Sequence, residues 1–133
     1  MPLADLQGMN AGRELDALVA ETVMGWRALQ DSHCAECEAM IAEGTLMMSD
    51  PQGLVGVVPD YSTSIAAAWE VFEWLCKRGD DVAEVVQLTW NIQTGWWCTS
   101  ERWVTVDVQG NADTAPLAIC LAALKACEAE APA

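Results

Sequence analysis

Leu15, Leu18, Val19, Thr22 and Trp26 recur at i, i+3, i+4, i+7 and i+11, the spacing of one helical face, while Arg13, Glu14, Asp16 and Glu21 fall on its flanks and back. The pattern predicts a helix capped by Asn10, interrupted by Gly25 and ended by residue 30. A second helical stripe, Ile65, Ala68, Trp69, Phe72, Leu75 and Cys76, follows candidate caps at Asp60, Ser62 and Ser64 and stops at Gly79. Trp74 lies opposite that stripe, beside Ala67, Val71 and Arg78, so this helix carries a second, smaller apolar strip. A tryptophan there meets another layer or a partner.

From residue 82 the period changes to two. VAEVVQLTW, GWWCTS and RWVTVDV read as three strands whose linkers are too short for crossovers, which predicts an antiparallel meander ended by Gly110-Asn111. In the third strand Val104, Val106 and Val108 alternate with Trp103, Thr105 and Asp107. Asp113-Thr114 then caps a final helix with Pro116 in its first turn, where a missing N–H costs nothing. Its stripe of Leu117, Cys120, Leu121, Leu124 and Cys127 is backed by Ala115, Ala118, Ile119, Ala122 and Ala126, so the helix should be buried on both sides, within the chain or in an oligomer. Between these regions, residues 34–43 suit a helical turn, and Asp50-Pro51-Gln52-Gly53 suits a type I turn joining TLMMS and LVGVV as a hairpin.

At 133 residues and 53% hydrophobic content the chain, residues 1–133, reads as one domain able to bury a core without staples. Twenty acidic against six basic residues give −14, which disfavours direct nucleic-acid binding and docking on anionic membranes. No apolar run approaches the roughly 20 residues of a membrane span, and the first residues lack the basic and apolar regions of a secretory signal. The six cysteines are then expected as cytoplasmic thiols. Seven of nine aromatic residues are tryptophan, an unusually bulky set with polar N–H handles.

Three segments, RELDALVAETVMGW at 13–26, PDYSTSIAAAWEVFEWL at 59–75 and ADTAPLAICLAALKA at 112–126, in this order and spacing resemble the small bacteriophage proteins of the phage ABA sandwich domain family. The resemblance covers most of the chain but not residues 31–58. It implies an α+β three-layer α/β/α sandwich around the central antiparallel meander, a phage or prophage origin and the host cytoplasm as location. It carries no catalytic residue.

Little in the sequence suggests catalysis. His33, the chain's single histidine, adjoins Cys34-Ala35-Glu36-Cys37, half of a zinc motif without a second pair at matching spacing, so incidental thiols are expected there and no metal or other cofactor. Neighbouring His33 and Cys34 rarely face each other as a catalytic base and nucleophile must, so the chain is expected not to be an enzyme. The tryptophans point to binding. Trp26 and Trp69 fall on core stripes, whereas adjacent Trp96 and Trp97 must point to opposite sides of the sheet. An indole face stacks a nucleobase at about 1–3 kcal/mol, and arginines and helix N-termini supply phosphate contacts. The expected ligand-binding set is Trp26, Arg27, Tyr61, Trp96, Trp97, Arg102, Trp103 and Thr114.

Two functions follow as expectations. The first is an anti-defence protein that sequesters a small nucleotide-type immune signal, at a site formed in a homo-oligomer. The second is an acidic protein-binding inhibitor of a host defence enzyme, acting as a DNA mimic or through exposed tryptophan and alanine faces. The carboxylates are dispersed, with no run longer than two, which suits solvation better than a mimic's ladder.

Overall fold

The computed structural model describes residues 10–28, 39, 41–77, 84–102 and 105–130. The elements run α1 (Arg13–Thr22), β1 (Met47–Ser49), β2 (Val55–Val57), α2 (Ile65–Lys77), β3 (Glu84–Asn91), β4 (Gly95–Arg102), β5 (Thr105–Ala112) and α3 (Ala115–Glu130). Strands β1 and β2 form an antiparallel hairpin and β3-β4-β5 an antiparallel meander, giving an α+β sandwich.

The structure revises the first helix at both ends. Gly12, not Asn10, occupies the cap, with no side-chain capping bond, and the helix ends at Thr22. Asp16, expected on the solvent side, is 4% exposed because Ser62 reaches it from the distant 59–64 loop. In α2 the buried stripe is Ala68, Val71 and Leu75. Trp69, expected in the core, is 46% exposed and stacks on Phe72 at 4.7 Å. Both stripes have helical spacing, and the bulk of Trp69 favoured the wrong one. Ser64 is the cap that forms, accepting at 3.4 Å from the N–H of Ala67.

The meander is longer than expected, since β5 runs through Gly110 and Asn111 to Ala112. Gly110 faces α3 so closely that a Cβ there would lie 2.3 Å from the Ala118 carbonyl oxygen and 2.6 Å from the Ala122 nitrogen. Glycine thus lets the all-apolar helix settle directly on the strand. A bulge at Ser100/Glu101 shifts the register, so that Ser100 pairs with Val108 and Glu101 with Val106.

Helix α3 is the most enclosed element. It packs on β4 and β5 and also meets α2 and α1, and every residue from Ala118 to Leu124 is buried, as the apolar pattern predicts. Two thiols of this helix join the packing, the Cys120 Sγ–H donating to the Tyr61 carbonyl at 3.2 Å and the Cys127 Sγ–H to that of Thr22 at 3.7 Å. On the other face of the meander Val85, Gln87 and Thr89 are exposed. No described helix is long and apolar enough to cross a membrane.

Candidate functional site

An aromatic concavity lies between the end of α1, the β1–β2 hairpin, the 59–64 loop and α2, a groove of about 500 Å³ open to solvent. Its first wall is Trp26. Beyond α1 the N–H groups of Val23 and Met24 still donate to the Val19 carbonyl, Gly25 turns the chain at φ +81°, and the Trp26 N–H returns to Ala20 at 2.9 Å. Only glycine adopts that φ without strain. Arg27 and Ser49 then exchange backbone hydrogen bonds of 2.9 and 2.8 Å, tying this segment to β1. The indole lies over Gly56 of β2, where a Cβ would meet it at 3.7 Å.

Tyr61 forms the floor. It is 1% exposed, its N–H donates to Pro59 at 2.9 Å, and the Trp26 indole N–H donates to its hydroxyl oxygen. Burial pushes the phenol up to about 12, against the Trp26 hydrogen bond and with help from the nearby Glu70 carboxylate, so the ring is neutral across the physiological range. Asp50 shapes the hairpin rim, its carboxylate accepting at 2.9 Å from the N–H groups of Gln52 and Leu54 and so holding Pro51 at the groove's edge.

Helix α2 supplies the remaining wall. Glu70, Glu73, Trp74 and Lys77 are spaced i, i+3, i+4 and i+7, and all four line the groove. An aromatic enclosure from three chain segments therefore carries two carboxylates and one ammonium. A positive group over the indoles gains from the ring quadrupoles and from Glu70 and Glu73, whereas a phosphate meets repulsion from both carboxylates.

Of the eight expected ligand-binding residues, the structure brings Trp26 and Tyr61 together and leaves the others it describes apart. Arg27 is exposed and does not line the groove. Thr114 caps α3, its Oγ1 accepting from the Leu117 N–H at 3.4 Å. Trp96 pairs with Ala112 and packs against the core, while Trp97 takes the opposite face and donates Nε1–H to Thr94 at 2.8 Å. Arg102 pairs with Glu84 and Thr105 through its strand position, its side chain lying outside the described residues together with Trp103, His33, Cys34 and Cys37. Among the described residues no group of three metal-ligating side chains comes together. Glu70, Glu73 and Lys77 were not anticipated; their heptad spacing around Trp74 was the available signal.

The helices and the two antiparallel sheets make an α+β sandwich. The chain belongs to the Phage ABA sandwich domain family, whose model matches residues 17–124. It is also similar to a phage protein from Bacillus cereus ATCC 14579, known from a 2.0 Å crystal structure, at 22% identity and a TM-score of 0.57 over 90% of this chain and 92% of that one. That likeness concerns the fold. No curated protein matches the chain.

Proposed function

We propose that this chain is a non-catalytic phage accessory protein that acts by binding in the host cytoplasm, and that its groove receives a cationic side chain of a protein partner. The observation that carries this reading is the convergence of Trp26, Tyr61 and Trp74 with Glu70 and Glu73 on one concavity. A lysine or arginine entering it exchanges water for aromatic faces and two carboxylates, a gain of about 0.5–2 kcal/mol per cation–π contact. The net charge of −14 steers a basic partner toward the same surface. An inhibitor of a host defence enzyme is the matching role, and that setting rests on the phage family alone.

Sequestration of a nucleotide is the weaker reading because its phosphate donors do not meet its stacking platform. Arg27 and Thr114 lie outside the groove, and Lys77 lines it together with two glutamates. Titrating the protein with arginine amide and tetramethylammonium, against cyclic dinucleotides and ADP-ribose, separates the two readings by tryptophan fluorescence. Saturable quenching by the cations, weakened at least fivefold in Trp74→Ala and Glu73→Gln, supports the first. A rise in melting temperature with a nucleotide, and none with the cations, replaces it with the second.

The three-layer order with the meander in the middle belongs to the same proposal, its missing layer being supplied to the Val85, Gln87 and Thr89 face by a second copy. Val85, 46% exposed on that face, supports it. Sedimentation as a monomer at all accessible concentrations would remove it.

A further inference from the structure

A second cavity, of about 260 Å³, opens where α3 passes the free edge of β5. We propose that it is a binding site for a compact oxyanion, a phosphate or carboxylate group, held by Lys125 beside the Trp97 ring. Helix α3 is uncharged from Ala115 to Leu124, and Lys125 breaks that run at the cavity wall. Its Nζ donates one hydrogen bond, to the Gln109 carbonyl of β5 at 2.9 Å. An ammonium has three N–H donors, so two remain for the cavity.

The surroundings favour an anion over any other occupant. Partial burial lowers the Lys125 amine from its ordinary value. An oxyanion would replace the lost hydration of that charge. The cavity's other walls are already fixed. Asn111 commits both Nδ2 hydrogens, to the carbonyls of Thr94 at 2.8 Å and Trp96 at 2.9 Å, and Trp97 commits its indole N–H to Thr94. The Gln109 side-chain amide makes no hydrogen bond with a described residue and stands as a second donor. At about 30 Å³ per water the volume holds a phosphate-sized group with several of its waters. The described lining residues, Trp97, Gln109, Asn111, Leu121 and Lys125, include no acid, so this cavity and the Glu70–Glu73 groove select opposite charges.

The chain contains two lysines, Lys77 in the acidic groove and Lys125 here, which gives the test an internal control. Full-length protein labelled with carbon-13 at lysine Cε and nitrogen-15 at the indoles is titrated with inorganic phosphate, and separately with chloride at matched ionic strength. The Lys125 Cε and Trp97 indole signals should shift saturably with phosphate and not with chloride, Lys77 should stay in place, and Lys125→Met should bind phosphate at least tenfold more weakly. A titration with benzoate then tells whether carboxylates share the site. The proposal fails if the phosphate shifts do not saturate, if chloride reproduces them, or if Lys77 responds as strongly as Lys125. Where Lys125→Met does not fold, the pH titration of Lys125 in the wild-type protein decides: phosphate must move its midpoint upward.

Discussion

The carboxylate of Asp16 in α1 accepts two hydrogen bonds from Ser62, one from the backbone N–H at 2.7 Å and one from the hydroxyl at 2.6 Å. The hydroxyl oxygen in turn accepts the Gly12 N–H at 2.9 Å, so a donor at the start of α1 that lacks a local cap is satisfied from across the fold. This contact positions the 59–64 loop, and with it Tyr61, against α1. It therefore links packing energetics to the shape of the groove.

Removing either partner should be costly. Ser62→Ala strips one charge-assisted bond and should cost about 1.5–3 kcal/mol, and Asp16→Ala, which orphans the Ser62 N–H and hydroxyl, about 3 kcal/mol. The double variant should lose less than the sum, by about 1 kcal/mol or more. Urea denaturation of the four proteins measures this, and strict additivity would show that the bonds do not act as a unit.

Gly110→Ala should be among the most damaging substitutions of one atom. The added methyl would lie 2.3 Å from the Ala118 oxygen and meets backbone rather than a movable side chain. Helix α3 must then lift from β5, at about 3 kcal/mol or more. Gly56→Ala is the control, since its Cβ would meet only the edge of Trp26 at an ordinary 3.7 Å, and it should cost under about 1.5 kcal/mol. Thermal unfolding of both variants checks the contrast.

Tyr61 is the chain's single tyrosine, so tyrosinate absorbance reads it without overlap from another phenol. Burial raises the folded value from 10.0 to about 12, and the fold thus favours the neutral ring. The stability this contributes is complete below pH 10 and is lost as pH rises through about 12. The folded protein should titrate its tyrosine near 12 and the urea-unfolded chain near 10. Trp26→Phe removes the hydrogen bond that favours the phenolate and should move the folded midpoint higher still.

These residues mark what was legible in the sequence. The hairpin, the meander and the doubly apolar α3 follow from period, turn chemistry and composition, which act locally. The groove depended on facts that periodicity does not hold. Ala68, Val71, Trp74 and Leu75 form as good a stripe as Ile65, Ala68, Trp69 and Phe72, and only the position of α3 decides which is buried. Asp16 looked like solvated charge because its partner lies 46 residues away. Trp26 and Tyr61 belong to the expected ligand set, whereas Glu70 and Glu73, which share their groove, fall outside it.

The thiols offer a last prediction, on reactivity. Cys98 is fully buried in β4 and its thiol is pushed from 9.0 up to about 12 by burial, with Cys76 adding to the shift. Cys120 is buried in α3 and raised further, burial again leading and Asp16 contributing. A rise of about three units lowers the reactive thiolate of Cys98 at neutral pH about a thousandfold, before steric access is counted. Cys76 is exposed near the end of α2. Alkylation with iodoacetamide, read peptide by peptide in a mass spectrometer, should therefore label Cys76 at least a hundredfold faster than Cys98 or Cys120 in the folded protein. In urea the three should react alike. Comparable native rates at Cys76 and Cys98 would mean that β4 and α3 separate readily, and the close seat of Gly110 under Ala118 would not describe the protein in solution.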